Sequence, residues 1–481
     1  MRTAGSLAIV QETEKDDLER DDGRGVNLRA LEGDLKWVNW EEEDDDEGAE
    51  ETEVLNVATV PEAAITESLL DFDKEPRWIL KGFQEANQTV YRVYQIFQGH
   101  VIESFEIHLS NPVEFVADIE YLINFAVSRR MKKLVLDFSI PSLRTTLDAL
   151  LHGVVFELPA SFYGLKTLES LCISACGFDP SRFTNPELLR SLSISWLSLR
   201  QVESLLSKCP LLESLSIKHC WDLDIMMIAG KIRELVFVNC DSPLKSCSFD
   251  LPNIEIFKYT GYMICLHFMS VNTMMKEVYL DFDEERELDT DPFAIFLHKA
   301  GGKFVSRLLN ACRFAKTLTV CPYLLQVIQE CDIPAFLLRD VDVRYLVLRT
   351  KMQPKEFMGI RLLLDNCPDL ETLTIDHVHP TPSASPRTYS CHSIDPQIHW
   401  LQNISYRCLR RTLKVVVCKN FIGDFDQLQL LQYLIRTGDL LERVDVYVPD
   451  AVMKLGEWWV RDQVMTLEKT TNRAKIILHS A

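Results

Sequence analysis

No C-x-x-C pair, no H-E-x-x-H, no G-x-S-x-G and no phosphate-cradling glycine loop occurs anywhere in the 481 residues. The first two absences remove the common zinc frameworks. The other two remove the nucleophile elbow and the backbone cradles used by nucleotide-binding enzymes. No run of 18 apolar residues is present, so no membrane span is expected. The N-terminus, MRTAGSLAIVQETEKDDLE, has too short an apolar core for a secretion signal. Basic charge is scarce as well, with 51 Lys and Arg against 71 Asp and Glu. That balance disfavours a protein that tracks a phosphate backbone. The expectation is a chain with no cofactor, no metal, no nucleic-acid partner and no membrane partner.

What is present is unevenly placed. Residues 1–75 carry 24 acidic and 7 basic side chains, including EEEDDDE at Glu41–Glu47. The rest of the chain is close to neutral. Like charges at that density repel, and few apolar groups are there to offset the ordering entropy, so residues 1–75 read as a disordered acidic tail. Trp37 and Trp40 beside the run are candidates for a short docking motif. Fourteen cysteines are spread without a compact framework; with no secretion signal they read as reduced thiols of a cytoplasmic or nuclear protein. On that reading the glycosylation patterns at Asn87-Gln88-Thr89 and Asn403-Ile404-Ser405 carry no meaning.

Beyond the tail a strand, helix, strand order emerges. Ser104–Leu109 alternates like a strand, Val113–Ser128 has helical apolar spacing, and Lys133–Phe138 alternates again. A longer regularity overlies it. LLSKCPLLESLSI (Leu205–Ile217) and LLDNCPDLETLTI (Leu363–Ile375) agree at eight of thirteen positions. The template L-x-x-L-x-L-x-x-C fits Leu168, Leu171, Ile173, Cys176, then Leu212, Leu215, Ile217, Cys220, then Ile232, Leu235, Phe237, Cys240. Leu189, Leu192 and Ile194 fit with Leu197 closing, and weaker copies follow at Ile254, Phe257, Tyr259 and at Met275, Val278, Leu280. The central apolar residues fall at 171, 192, 215, 235, 257 and 278, a period of 20 to 23. Leucine-rich repeats have periods of roughly 20–29 residues.

The spelling has a physical reason. Alternate side chains of a short strand point to opposite faces, so the two apolar residues of L-x-L enter the core and their neighbours line a concave face. Cysteine at the turn is small, tolerates burial and can bond weakly to unpaired backbone, which gives Cys176, Cys220 and Cys240 a structural role. In LLSKCP and LLDNCP a helix end runs into Cys-Pro, where proline stops it, and a strand follows. Less regular units centre near Leu318 and Leu346. Thr381–Ser390 is a Pro/Ser-rich loop. A last unit from about Gln397 shows a strand (Leu413–Val417), a helix (Phe425–Arg436) and a strand (Arg443–Val448).

These features together resemble plant F-box proteins with leucine-rich repeats and a C-terminal FBD domain. The resemblance rests on FELPASFYGLKTLESLCISAC (Phe156–Cys176), LLSKCPLLESLSIKHC (Leu205–Cys220), CLRRTLKVVVCKNFIGDFDQLQLLQYLIRTGDLLERVDVYV (Cys408–Val448) and NRAKIILHS (Asn472–Ser480). It covers roughly residues 70–481. It implies an irregular α/β solenoid over 76–380, a loop over 381–396 and an FBD-like α/β unit over 397–481. In that family an F-box docks onto a Skp-type adaptor that leads to a cullin and the ubiquitin machinery, while the repeats hold a protein substrate. The F-box pattern itself is not found here: Leu69–Asp73 is similar to the stretch that follows it, and the acidic tail stands in its place. The resemblance therefore implies a substrate receptor of an SCF-type ubiquitin ligase, with an F-box-less scaffold or decoy as the alternative.

No catalytic residues are expected. His377, His379, Cys391, His392 and His399 are metal-competent side chains, but their spacing fits no zinc pattern and they read as loop histidines. Asp281, Asp283, Glu284 and Glu285 read as a solvated strand end, Gly301-Gly302-Lys303 is a glycine pair without a phosphate loop, and Asp424 and Asp426 suit the start of a helix. The candidate partner-binding residues are the outward strand positions: Ser170, Ser174, Ser191, Ser193, Ser195, Ser214, Ser216, Lys218, Glu234 and Lys258. The first three strands make a serine carpet, and Trp196 and Trp221 just beyond them are large enough to anchor a partner.

Overall fold

The computed structural model describes residues 77–81, 104–108, 112–139, 156–223, 225, 227–240, 246–282, 304–329, 341–353, 355–378, 406–450, 452–453, 462, 464, 466, 467 and 474–480. They fall into two compact units that divide between Leu199 and Arg200. The acidic tail, Trp37, Trp40, Asp283–Glu285, Gly301–Lys303 and the 381–396 loop lie outside the described residues.

The first unit carries five parallel strands in sequential order: β1 (Arg77–Lys81), β2 (Ser104–His108), β3 (Lys133–Asp137), β4 (Ser170–Ser174) and β5 (Ser191–Ser195). Helix α1 (Val116–Ser128), entered through a 3-10 turn at Pro112–Phe115, buries Ile119, Leu122, Ile123, Phe125 and Ala126. An aromatic nest of Phe162, Tyr163, Phe178 and Phe183 supports the segments before β4 and β5; Phe162 meets Phe183 edge-on at 5.6 Å. The Arg182 guanidinium lies 4.3 Å from the centre of the Tyr163 ring.

The second unit has ten parallel strands in one ladder: β6 (Ser214–Lys218), β8 (Glu234–Val238), β10 (Ile256–Gly261), β12 (Glu277–Phe282), β13 (Thr317–Val320), β14 (Tyr345–Thr350), β15 (Thr372–His377), β16 (Val415–Lys419), β17 (Arg443–Val448) and β18 (Lys475–Ser480). Three further strands, β7 (Met227–Ala229), β9 (Ser246–Asp250) and β11 (Cys265–Phe268), make a separate parallel sheet. Helices α2 (Val202–Leu206), α3 (Pro322–Gln329), α4 (Phe357–Asn366), α5 (Arg407–Arg411) and α6 (Phe425–Thr437) occupy connections between strands.

The spacing read from the sequence is the register of these ladders. Leu171 pairs with Leu192 in the first unit, and Leu215, Leu235, Phe257 and Val278 are successive partners in the second. All six are buried. Burying each such side chain contributes about 1.5–3 kcal/mol, which is why the period tolerates little drift. The two copies of the Cys-Pro joint also match. Leu212 N–H donates to Cys209 O at 3.2 Å, and Leu370 N–H donates to Cys367 O at 3.3 Å. Helix α2 has ended by Leu206 and α4 by Asn366, and β6 and β15 follow.

A recurring turn was not foreseen. One residue after β4, β5, β6, β8 and β16 the backbone enters the left-handed region, at Ala175, Trp196, His219, Asn239 and Asn420, and Gly261 does so at the end of β10. The next side chain then turns inward: Cys176, Leu197, Cys220 and Phe421 are buried. Non-glycine residues avoid this conformation unless tertiary contacts hold them. The ladder supplies those contacts, since Ala175, His219 and Asn239 donate N–H to Ser195, Val238 and Thr260 carbonyls at 3.0, 2.7 and 2.7 Å.

Some boundaries moved. The strand expected at Leu413–Val417 is Val415–Lys419, because Leu413 N–H donates to Cys408 O at 2.9 Å and closes α5 first. The helix expected over Phe425–Arg436 runs to Thr437. Asp424 caps it, its carboxylate accepting the Gln427 N–H at 2.8 Å.

Candidate functional site

In the first unit the outward residues of β4 and β5 form paired small rows, Ser170 beside Ser191, Cys172 beside Ser193 and Ser174 beside Ser195. Ser174 is only 5% exposed, so it contributes less to a surface than its alternation suggested; the others are half-buried. Ser214, Ser216 and Lys218 of β6 belong to the second unit, where Lys218 is exposed and Ser214 donates to Glu234 Oε2 at 3.1 Å. Lys258 pairs with Glu277 at 2.8 Å. Trp196 and Trp221 are half-buried, and the Trp196 backbone serves the left-handed turn.

The rows next to the serines are charged. On β2 and β3, Lys133 Nζ lies 2.7 Å from Glu106, while His108 lies 3.5 Å from Glu106 and 3.7 Å from Asp137. Ser139 donates its N–H and hydroxyl to Asp137 Oδ1 at 3.0 and 2.6 Å. The Asp137 and Glu106 carboxylates raise the His108 imidazole to about 9. Glu106 is lowered to about 2, chiefly by His108 and then, against the cost of burial, by Lys133. Burial opposes ionisation of Asp137, but His108 and Ser139 outweigh it and lower that group to about 2. His108 is thus protonated at neutral pH and is no general base. The Ser139 hydroxyl donates to Asp137, and a carboxylate lowered to about 2 is too weak a base to activate it at neutral pH.

A pH signature follows. His108, raised from 6.5 to about 9, stabilises the fold fully below pH 6.5, and that contribution is lost as pH rises through 9. Glu106 and Asp137, lowered from 4.5 and 3.8 to about 2, contribute fully above pH 4.5 and lose it as pH falls through 2. With His108 about a third exposed, solvent screening reduces the high-pH loss to about 1–2 kcal/mol. Urea unfolding at about pH 6 and about pH 9.5 is expected to show this loss in the wild type and not in His108→Ala; identical pH dependence in both would refute the assignment.

In the second unit the outward rows of β12 and β14 hold a network that sequence reasoning missed. Arg349 reaches across β13 to the Asp281 carboxylate and donates to the Tyr279 hydroxyl at 3.0 Å. It can cross because β13 is short and Cys321, next in line after it, is buried, its sulfur accepting the Phe282 N–H at 3.2 Å. Asp281 is therefore an ion-pair partner and not simply a solvated strand end. Near the end of the ladder, Asp445 takes Arg443 at 2.8 Å and His479 at 3.2 Å, and His479 stacks on Tyr447 at 4.3 Å. Alternation in EVYLDF and YLVLRT marks Tyr279, Asp281 and Arg349 as outward, but not that they meet. His377 is buried and near Asp424, while His379, Cys391, His392 and His399 lie outside the described residues. Among the described residues no group of three or more His, Cys, Asp or Glu could hold a metal, and no helix is long and apolar enough to cross a membrane.

The sequence that builds these strands is similar to that of known proteins. An F-box/LRR-repeat protein of Arabidopsis thaliana is 47% identical over 393 residues, 81% of this chain and 82% of that one. An Arabidopsis F-box protein is 51% identical over 387 residues, covering 79% and 81%. The chain belongs to the plant F-box/LRR-repeat family. An Arabidopsis FBD-associated F-box protein is more distant, 24% identical over 383 residues. No family model matches the chain. Membership carries a general protein-interaction role and directs attention to the outward strand face.

Proposed function

We propose that this F-box/LRR-repeat protein is a non-catalytic recognition subunit, the substrate receptor of an SCF-type ubiquitin ligase working in the cytoplasm or nucleus. On this reading residues 76–380 are a leucine-rich-repeat solenoid, 397–481 an FBD-like unit, and the outward strand residues its concave, target-binding face. The observation that carries the reading is the register: strand after strand aligns one buried leucine-type position with outward Ser, Lys, Glu, Tyr, Asp or Arg. Such a surface grips a protein by many modest contacts around a few anchors. Each unit offers its own set of such residues: Ser170, Ser191, Ser193 and Ser195 in the first, and Ser214, Ser216, Lys218, Glu234 and Lys258 with Tyr279 and Arg349 in the second. The mechanism is positional: a bound target is held for a ligase recruited through a Skp-type adaptor and cullin.

The test is a pull-down of the full chain with a purified plant Skp-type adaptor, using an F-box-containing relative as positive control. Retention of the adaptor is the expected result. Its absence, with the control positive, would overturn the ligase role and leave a scaffold or decoy that binds partners without recruiting a ligase.

A further inference from the structure

Two cysteines close successive turns of the second unit. Cys220 and Cys240 each stand two residues after a strand, behind left-handed His219 and Asn239. The strands they follow are neighbours with Lys218 opposite Val238, and the ladder continues through His219 N–H to Val238 O at 2.7 Å. Adjacent strands lie about 4.7–4.9 Å apart, inside the roughly 4.4–6.8 Å Cα range that a disulfide accepts. The thiols reach the same backbone: Cys240 Sγ lies 3.3 Å from Ile217 O and 3.5 Å from Val238 O, and Cys220 Sγ lies 3.4 Å from Lys218 O. Neither cysteine is in a disulfide.

Their surroundings differ in a useful way. Cys220 is 1% exposed, whereas Cys240 is half-buried and lines a cavity of about 60 Å³ walled by Leu223, Ile225, Cys247, Tyr262 and Leu266. One water needs about 10–15 Å³ of such space, so a molecule of two oxygens fits. A hydrogen bond from Cys220 holds the Cys240 thiol below its ordinary range against the cost of burial. Burial pushes Cys247, on the same cavity, up to about 12. The more acidic thiol is the better reactant toward peroxide.

We propose that Cys240 and Cys220 are a hydroperoxide-responsive thiol pair, with Cys240 the attacking sulfur, Cys220 the resolving one, and an intramolecular disulfide the product. The Cys240 thiolate attacks one peroxide oxygen and the O–O bond breaks. The departing hydroxide takes a proton and leaves as water, and Cys240 becomes a sulfenic acid. The Cys220 sulfur then attacks Cys240, the S–O bond breaks, and the departing oxygen leaves as a second water with the Cys220 proton. Two thiols and one peroxide thus give one disulfide and two waters; sulfur is oxidised and peroxide oxygen reduced. The bond ties the end of β6 to the end of β8, next to Lys218 and Val238 on the outward face.

The experiment treats the full-length native protein with hydrogen peroxide, blocks free thiols, and maps tryptic peptides. Cleavage separates the three cysteines onto residues 219–231, 234–245 and 246–258. The expected result is a linked pair of the first two peptides, lost on reduction and absent from Cys220→Ser and Cys240→Ser. A dimedone-type trap is expected to label Cys240 in Cys220→Ser. Circular dichroism of both variants checks that they fold. No linked peptide from oxidised, folded wild type, or a link from Cys240 to Cys247 instead, would overturn the proposal.

Discussion

Replacing Gly359 by alanine is expected to destabilise the second unit by about 3 kcal/mol, although alanine is the better helix former by about 1 kcal/mol. Gly359 sits in the first turn of α4, where that helix crosses α3. A Cβ built there would stand 2.3 Å from the Leu325 carbonyl oxygen and 2.8 Å from the Leu325 Cα. Both are backbone atoms of α3, so no rotamer change relieves the overlap; one helix must shift. Neither shifts freely. α4 begins at the buried Glu356, whose carboxylate accepts the Lys351 N–H at 2.9 Å and also takes the Thr350 hydroxyl. α3 follows β13 directly and buries Leu324, Leu325 and Val327. A loss of this size lowers the melting temperature by roughly 6–12 °C in a unit of this length. Gly164→Ala is the control, because nothing lies within 4 Å of its added Cβ. Thermal scans showing Gly359→Ala as stable as Gly164→Ala would mean that α3 and α4 pack less closely than described.

How far the sequence discloses this arrangement depends on what each residue does. The six central positions from Leu171 to Val278 were legible because one side chain performs two tasks there. It sets the strand period and fills the core, so its identity is narrow. The separate sheet of β7, β9 and β11 was not legible. Its strands, MIA, SCSFD and CLHF, are short and partly polar, and β9 and β11 flank the weaker Ile254–Tyr259 repeat and hide in its spacing. The left-handed turn was half visible. Asn239, Asn420 and Gly261 are residues that accept that conformation, whereas Ala175, Trp196 and His219 carry no such mark. Trp196, whose size and place just beyond β5 mark it as a candidate anchor, also serves that turn with its backbone. On the outward face, alternation identified the serines, Lys218, Glu234 and Lys258, each a local property. The Arg349–Asp281 pair is a property of register across 68 residues, set by a short β13 and an inward Cys321, and nothing near either residue announces it.

Phe257→Ala carries the other large effect, and it tests how stability is distributed along the ladder. The ring is fully buried at the second position of β10. It meets Phe249 of β9 at 5.6 Å and Phe268 of β11 edge-on at 5.1 Å. One side chain of the main ladder thus holds two strands of the separate sheet. Deleting it removes about 3–5 kcal/mol, the range for a buried phenylalanine reduced to alanine, since the surrounding backbone is pinned by strand hydrogen bonds and closes the cavity only in part. The separate sheet has three short strands, too few to persist without a packed face. Its amides in β7, β9 and β11 are expected to lose hydrogen-exchange protection first, followed by β8, β10 and β12. In the ladder each strand pairs only with its two neighbours, so β15 to β18 are expected to keep most of their protection. A uniform loss of protection from β6 to β18 would instead show that the second unit unfolds as one cooperative body. The outward rows of β12 to β15 would then depend on every core position equally and not chiefly on those beside them.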